Sequence, residues 1–244
     1  MKIDDIYLNF NDNLKDADNI YSYFKKQTFF KDILEHVSLQ FGLEYKKLIE
    51  IEFNKQIQEF DGLIKINDNI GDPHKYLIDN LHISPSNLRY IYHSLLIESK
   101  IKMWFNKKEI KIVEIGGGYG GLCFYIKNII KEYDINYTIV DLPNIINLQS
   151  RFLNDVQIDS RLISCFDLTD INETFDIVIS NYCLSEISIE NRLYYLNNLI
   201  NECKKEFYTW NSRSFEGLNL KKYYIEEERP QTNYEGYNKY IYSI

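Results

Sequence analysis

The sequence lacks the features of membrane and exported proteins. No apolar stretch in its 244 residues approaches the ~20 residues needed to span a bilayer. The first residues, MKIDDIYLNFNDN, lack the basic region and apolar run of a secretory signal. The four cysteines, Cys123, Cys165, Cys183 and Cys203, form no CxxC pair. We therefore expect reduced core thiols, no metal site and a cytoplasmic location.

An excess of basic charge is also missing. Lysine and arginine number 28 against 36 acidic residues, which gives a net charge of −8. A protein that mainly binds nucleic acid needs a basic face, so this composition disfavours that class but allows a small anionic substrate in a local pocket. Hydrophobic residues make up 45% of the chain. That is enough for a sizeable core in one α/β domain with an added segment, or in two small domains.

The N-terminal part of the chain has helical spacing of its apolar residues, from about residue 15 to residue 65. The residues that recur at three- and four-residue steps are Ile20, Tyr23, Phe24, Ile33, Val37 and Phe41. NDNIGDP, residues 67–73, is a turn cluster. We predict an N-terminal helical cap over residues 1–70 and a second domain over residues 71–244.

A helix is predicted directly after this turn cluster. Ser84 is expected to cap it and Pro85 to occupy its first position. Its apolar stripe consists of Leu88, Ile91, Tyr92, Leu95 and Leu96. Its other side carries three polar residues about one turn apart, Ser86, Arg89 and His93.

Strands and helices alternate beyond residue 109. Predicted strands cover 110–115, 136–141, 160–165, 175–181 and 205–211, and predicted helices cover 120–133, 144–154 and 189–203. This alternation favours a doubly wound, mostly parallel sheet. The chain then has two tyrosine-rich runs, KKYYIEEERP and YNKYIYSI, joined by QTNYEG without a helix. They predict an antiparallel C-terminal hairpin, and thus a seven-stranded α/β sheet with an N-terminal helical extension.

Half of the 10 glycines fall in one turn, within KIVEIGGGYGGLC at residues 111–123. Glycine permits a sharp turn and the close approach of a ligand to the backbone. Two ligand-binding patterns fit the turn. Gly116, Gly118 and Gly121 match the dinucleotide pattern GxGxxG, whereas Glu114, Gly116, Gly118 and Gly120 match the acidic pattern of nucleotide-fold methyltransferases.

Glu114 and the order of the elements favour the second pattern, whereas Asp141 fits both. Glu114 would oppose a pyrophosphate at the helix N-terminus, but would favour the sulfonium and ammonium groups of S-adenosylmethionine. Asp141 ends the next strand, where it can accept hydrogen bonds from ribose hydroxyls of either ligand. Plain strand-end and turn roles for these two acids remain alternatives. About 110 mostly helical residues precede the turn, a layout unlike that of most dehydrogenases.

The chain from about residue 71 onwards resembles the class I S-adenosylmethionine-dependent methyltransferases. More narrowly, it resembles the sugar O-methyltransferase family found among bacterial surface-polysaccharide genes. The strings that carry the resemblance are SPSNLRYIYHSLLI, VEIGGGYGGLC, YTIVDLP, SNYCLSEIS and ERPQTNYEGYNKYIYS. The first 65 residues contribute nothing to it, and we expect them to border the acceptor site rather than the cofactor site.

The resemblance implies roles for ten residues in binding S-adenosylmethionine. Glu114, Gly116, Gly117 and Gly118 would contact the methionine portion of the cofactor. Asp141 would hold the ribose and Leu142 would pack on the adenine. Phe166 would lie beside the adenine ring and Asp167 would reach its amino group, unless Asp167 only caps a turn. The backbone around Ser180 and Asn181 would lie beside the methyl group.

Methyl transfer to a hydroxyl needs alignment of the oxygen, methyl and sulfur atoms, and a base for the hydroxyl proton. Glu186 follows a strand end and is the first candidate base, with a cap or first-turn role in the next helix as the alternative. His93 is the second candidate base, and Arg89 could hold an anion, although both could simply be solvated. Tyr182 is a candidate for the substrate wall.

Three further histidines are weaker candidates. We expect His74 and His82 to lie in loops before the predicted helix and His36 to lie on a surface helix.

The sequence therefore predicts an enzyme that methylates a hydroxyl of a sugar or sugar nucleotide. Alternative acceptors are a phosphoramidate or a carboxylate. A second class is an NAD-dependent oxidoreductase, and a third is a binding protein that has lost catalysis. We expect a small-molecule acceptor and no nucleic-acid partner, and a homo-oligomer is compatible with the sequence.

Overall fold

The computed structural model describes residues 5–15, 17–31, 35–211, 213–232 and 237–244. Its helices are α1 (Asp5–Asn13), α2 (Ala17–Ile20), α3 (Thr28–Lys31), α4 (Leu39–Phe53), α5 (Asp61–Asp68), α6 (Pro85–Trp104), α7 (Gly121–Ile129), α8 (Pro143–Asp155), α9 (Cys183–Glu186) and α10 (Ile189–Asn198). Its strands are β1 (Tyr76–Ile78), β2 (Leu81–Ile83), β3 (Glu109–Ile115), β4 (Asp134–Asp141), β5 (Arg161–Ser164), β6 (Ile177–Asn181), β7 (Lys205–Trp210), β8 (Tyr223–Glu227) and β9 (Lys239–Ser243).

Seven strands form the central sheet, in the order β5-β4-β3-β6-β7-β9-β8. The first five are parallel to their neighbours, and β9 lies antiparallel between β7 and β8. This confirms the predicted doubly wound α/β sheet and its C-terminal hairpin. Of the predicted connecting segment QTNYEG, residues 233–236 lie outside the described residues.

The sheet reverses its direction of growth between β3 and β6. From β3 the chain proceeds outward to β4 and β5, then returns to the other side of β3 to form β6 and β7. In open α/β sheets, such a switch point leaves a crevice beyond the carboxyl ends of the strands, where ligands bind. The glycine turn follows β3 and therefore lies at this crevice.

A short hairpin, β1 and β2, precedes α6 and was not predicted. Its strands have three residues each, too few for a clear alternation of polar and apolar side chains. Asp79 and Asn80 form its turn with φ of 48° and 67°, a left-handed pair typical of tight hairpins. His82 lies in β2, so its predicted loop placement is wrong, whereas His74 lies in a loop as expected.

Helix α6 begins at Pro85 as predicted, but the polar residues predicted for the side opposite its apolar stripe are buried. Arg89 and His93 are only 6% and 1% exposed. The cause is α4, which packs on α6 and places Gly42 against Pro85. The solvated interpretation of Arg89 and His93 is therefore wrong.

Two details of the N-terminal part also differ from the expectations. Ser84 makes no capping hydrogen bond, because its hydroxyl donates to Glu35 instead, at 3.2 Å. His36 lies in the connection before α4 rather than on a helix. Ile33, part of the predicted helical spacing, lies outside the described residues.

Within the described residues, the helices are all too short or too polar to cross a membrane. The four cysteines are free thiols, of which Cys123 and Cys165 are buried while Cys183 and Cys203 are partly exposed.

Candidate active site

The glycine turn joins β3 to α7 through left-handed backbone. Gly116, Gly118 and Gly120 have φ of 77°, 59° and 96°, which L side chains rarely adopt. Gly116 is also pressed against the start of α9, since a Cβ on it would lie 2.5 Å from the Cβ of Cys183. The turn thus needs glycine for its shape and for its contact with the segment after β6.

Glu114 lies one residue before the end of β3 and is buried. Tyr137 on the neighbouring strand β4 donates a hydrogen bond of 3.0 Å to Glu114 Oε2. The pKa of Glu114 is raised to about 8, mainly by burial. The bond from Tyr137 lowers this pKa, and the nearby Asp141 makes a smaller contribution that raises it. A cation bound beside this carboxyl group would favour its ionised form.

Asp141 ends β4 and is tied to the glycine turn. Its Oδ1 accepts from the Leu142 amide and its Oδ2 from Gln149 Nε2, both at 2.8 Å. Burial raises the pKa of Asp141 to about 7, although Leu142, Gln149 and the amides of Gly117 and Gly118 lower it. These bonds tie Asp141 to the turn, and its role in binding a ribose stays a prediction.

The strand ends place the remaining predicted cofactor residues along the same crevice. Leu142 is buried at the start of α8. Ser180 donates its hydroxyl to the Ile115 carbonyl oxygen at 3.1 Å and accepts from the Leu184 amide at 3.2 Å, which ties β6 to β3 and α9. The Asn181 side chain accepts a 2.7 Å bond from Thr209 on β7.

Phe166 and Asp167 lie beyond β5 and are both exposed. Asp167 occupies the cap position of the short turn that follows, but its side chain makes no capping hydrogen bond. The role of both residues in adenine contacts stays a prediction.

Glu186, the last residue of α9, faces the N-terminal helix. Its carboxylate accepts a short hydrogen bond from the Tyr7 hydroxyl and a 3.1 Å bond from Asn211 Nδ2, just beyond β7. It does not cap α10, because Ser188 does so through a 3.3 Å bond from the Asn191 amide. The helix-cap interpretation of Glu186 is therefore wrong, and its carboxylate lies at the carboxyl ends of β6 and β7.

Tyr182 follows β6 in strained backbone, with φ of 65°. Its hydroxyl makes a short hydrogen bond to Glu228, a buried carboxylate that also accepts a 2.6 Å bond from the Thr232 hydroxyl. His36 packs edge-on to the Tyr182 ring, with 6.4 Å between the ring centroids, and contacts Arg89 Nη1 at 3.2 Å. The structure thus brings the two predicted substrate residues, Arg89 and Tyr182, into contact with the same histidine.

His93 is enclosed by tyrosines. The rings of Tyr45 and Tyr240 lie 6.0 and 5.9 Å from its ring, and the Tyr240 hydroxyl is 3.4 Å from its Nε2. Burial, and next the charge of Arg89, lower the pKa of His93 to about 3. Its neighbours belong to α4, α6 and β9, so it contacts the core behind the crevice and is poorly placed to act as a base.

The N-terminal part is where the structure departs most from the sequence-based expectation. Helix α1 contacts α8 next to Asp141, and Tyr7 contacts Glu186. Residues expected to border only the acceptor site therefore lie beside the predicted cofactor site.

Sequence reasoning missed Tyr7, Tyr137, Gln149 and Asn211, which all donate to the acids of the site. One of them had a detectable signal. Gln149 lies in the buried stripe of α8, and a polar residue at such a position needs a buried partner. Tyr137 and Asn211 could be recognised only after the strand order was known.

No protein-family model matches the chain, and no curated protein is significantly similar to it. Solved structures with a similar fold include a SAM-dependent methyltransferase from Aquifex aeolicus, at 14% identity and a TM-score of 0.44, over 60% of this chain and 87% of that one. The plantazolicin methyltransferase BpumL, in complex with SAH, aligns at 14% identity and a TM-score of 0.42, over 75% of this chain and 62% of that one. Similarity at this level concerns the fold and does not identify an activity.

Proposed function

We propose that the protein is an S-adenosylmethionine-dependent methyltransferase that methylates a hydroxyl group of a sugar or sugar nucleotide. The observation that carries the proposal is the pair of buried carboxyl groups, Glu114 and Asp141, on either side of the glycine turn. Their pKa values are raised to about 8 and about 7. Isolated buried acids are costly, and a ligand that carries positive charge stabilises their ionised forms.

The residues of the turn fit S-adenosylmethionine better than a dinucleotide. Glu114 would bind the ammonium or sulfonium side of the cofactor, and Asp141 the ribose hydroxyls. In a dinucleotide complex, the pyrophosphate would lie at the N-terminus of α7, where the negative charge of Glu114 would oppose it. This charge repulsion disfavours an NAD-dependent oxidoreductase.

Glu186 would act as the base in this proposal. S-adenosylmethionine, when bound, supplies a methyl group on a positively charged sulfur. Glu186 would take the proton of the acceptor hydroxyl while the oxygen–methyl bond forms and the sulfur–methyl bond breaks. Tyr7 and Asn211 orient its carboxylate from two sides.

A hydroxyl-rich acceptor suits the polar groups at the carboxyl ends of β6 and β7. Glu186 and Asn211 offer a hydrogen-bond acceptor and a donor there. Tyr182 directly follows the last residue of β6. Arg89, near Tyr182, would favour an acceptor that also carries negative charge, such as a sugar nucleotide. The same arginine favours the second candidate acceptors, a carboxylate or a phosphoramidate.

Calorimetric titration of the purified protein with S-adenosylhomocysteine and with NAD tests the cofactor. We expect micromolar binding of the former alone, abolished by Asp141→Ala because loss of hydrogen bonds to a charged acceptor costs roughly 2–4 kcal/mol. Binding of NAD alone would overturn the proposal. Methyl transfer to a panel of sugar nucleotides, against carboxylate and phosphoramidate compounds, then separates the acceptors.

A further inference from the structure

Helix α1 is bound to both sides of the glycine turn. Its Tyr7 hydroxyl donates to Glu186, at the end of α9 beyond β6. Its Asn11 bonds to Asn144 at the start of α8, with Oδ1 accepting from the Asn144 amide at 3.2 Å and the carbonyl oxygen accepting from Nδ2 at 2.9 Å. Asn144 lies three residues after Asp141. The two contacts therefore join the segments that follow β6 and β4.

The strand order places the glycine turn beneath this helix. In the sheet, β3 lies between β4 and β6, so a helix that contacts the segments beyond β4 and β6 must pass over the turn that follows β3. The span from β4 to β6 is about 10 Å at the usual strand spacing. Tyr7 and Asn11 lie about 6 Å apart along α1. The long tyrosine side chain spans the remaining distance between the segments beyond β4 and β6. As residues i and i+4, Tyr7 and Asn11 share one helix face, which is the face turned to the site.

The surroundings of the Tyr7 hydroxyl agree with this position. Burial raises its pKa well above the ordinary tyrosine value, and Cys183, Glu186 and Asp141 raise it further. Cys183 is the residue that packs on Gly116. The hydroxyl therefore lies among groups from the ends of β4 and β6, directly beside the glycine turn.

The chain is anchored again just beyond α1. Leu14 is fully buried, and the Tyr21 hydroxyl donates a 2.7 Å bond to Asp155 at the far end of α8. The Arg151 guanidinium stacks over the Tyr21 ring at 3.9 Å. If α1 opens, only the residues before Leu14 move, because Leu14 and Tyr21 stay attached to the rest of the protein. This attachment keeps α1 close to the site when it is open.

We propose that α1 is a lid over the cofactor cleft, closed by Tyr7 on Glu186 and by Asn11 on Asn144, and that the opening of these contacts sets the rate of cofactor release. The proposal rests on the proposed function, because the lid covers the site assigned there to S-adenosylmethionine. When closed, Tyr7 also orients Glu186 and keeps water from the carboxylates. Each turnover then includes one opening of α1, as for the lids of other enzymes.

The test measures the dissociation rate of S-adenosylhomocysteine from the full-length protein in stopped-flow displacement. Tyr7→Phe removes only the hydroxyl and keeps the ring. Asn11→Ala removes the side-chain bond to the Asn144 amide and leaves the bond made by the Asn11 backbone carbonyl. Tyr23→Phe is the matched control, since Tyr23 belongs to the same N-terminal segment and is 41% exposed. We expect dissociation to become about tenfold faster in Tyr7→Phe, as for the loss of one hydrogen bond to a charged group. It should become about fivefold faster in Asn11→Ala, as for the loss of one hydrogen bond between neutral groups, and stay unchanged in the control.

Hydrogen–deuterium exchange of the wild-type protein gives an independent readout. S-adenosylhomocysteine should slow exchange of the backbone amides of residues 5–13, because a bound ligand holds the lid closed. Binding with unchanged release rates in both variants, and with unchanged exchange in α1, would overturn the lid and leave the proposed function standing. No binding of S-adenosylhomocysteine to the wild-type protein would overturn both.

Discussion

Gln149 Nε2 donates to Asp141 Oδ2 and to the Gly118 carbonyl oxygen, at 2.8 Å in each case. This buried amide from α8 therefore joins the acid that ends β4 to the turn that follows β3. It positions the two parts of the predicted cofactor site that come from different strands.

Replacement of Gln149 by methionine should weaken cofactor binding without direct loss of a ligand contact. The variant keeps the volume of the side chain but leaves one carboxylate oxygen of Asp141 without its donor. We expect the Kd for S-adenosylhomocysteine to rise about tenfold, since a hydrogen bond to a charged group contributes about 1.5–3 kcal/mol. Calorimetry measures the change, with Gln40→Met as the control because Gln40 is an exposed residue of α4. An unchanged Kd in a folded variant would mean that the backbone amides alone hold Asp141.

The strands and the glycine turn could be predicted from sequence because each depends on local pattern. Buried strands appear in the sequence as runs of apolar residues. The left-handed backbone at positions 116, 118 and 120 requires glycine, which the sequence supplies as Gly116, Gly118 and Gly120. Contacts between distant segments could not be predicted in this way. Tyr7 and Glu186 are 179 positions apart, and nothing in the local pattern around Tyr7 indicates its partner. The prediction that α6 has an outer polar side failed for the same reason, because the burial of that side depends on α4.

Stability and cofactor binding should depend on pH through Glu114 and Asp141. Their folded-state pKa values, about 8 and about 7, lie above the ordinary values near 4 of the unfolded chain. The unliganded fold therefore holds protons that the unfolded chain has released, and this contribution to stability is complete below about pH 4 and is lost as pH rises through 7 to 8. We expect the Tm of the unliganded protein to fall by several degrees between about pH 5 and about pH 8.5.

Positively charged S-adenosylmethionine should offset this loss, since it favours the ionised carboxylates. The increase in Tm that it causes should be larger at about pH 8.5 than at about pH 6. Glu114→Gln should show a smaller fall in Tm with pH and a smaller difference between the two ligand shifts. Thermal denaturation across this range tests both expectations. If the Tm of Glu114→Gln varied with pH as the Tm of the wild type does, Glu114 would not be the group that causes the pH dependence.

His93 should contribute to stability rather than to proton transfer. Its pKa is lowered to about 3, so it stays neutral across the working range and is enclosed by tyrosines on three elements. We expect His93→Gln to lower Tm while the loss of turnover stays well below the ~10²-fold of a general base. The acid side of the pH–rate profile should not move. A turnover loss of that size or larger in a folded variant, with wild-type cofactor affinity, would instead assign the base to His93.

Glu186 should carry the proton transfer. Glu186→Gln still offers one oxygen to the Tyr7 hydroxyl, so it preserves the lid contact. It removes the basicity together with the oxygen that accepts from Asn211 Nδ2. We expect turnover to fall by ~10²–10⁴-fold with little change in the Kd for S-adenosylhomocysteine, as for other general bases. Glu190→Gln is the matched control, because Glu190 lies in the exposed first turn of α10.

Turnover, Kd and Tm measured on the same preparations separate this role from a structural one. A structural role for Glu186 would appear as a loss of about 1 kcal/mol of stability with turnover preserved, similar to the loss of a helix cap. A second variant, Asn211→Ala, also tests the role of Glu186. It removes one hydrogen bond that orients the carboxylate but keeps the carboxylate itself, so turnover should fall less than in Glu186→Gln. Full activity of both Glu186→Gln and His93→Gln would mean that alignment of the acceptor with the methyl group suffices for transfer, and no base would then be assigned.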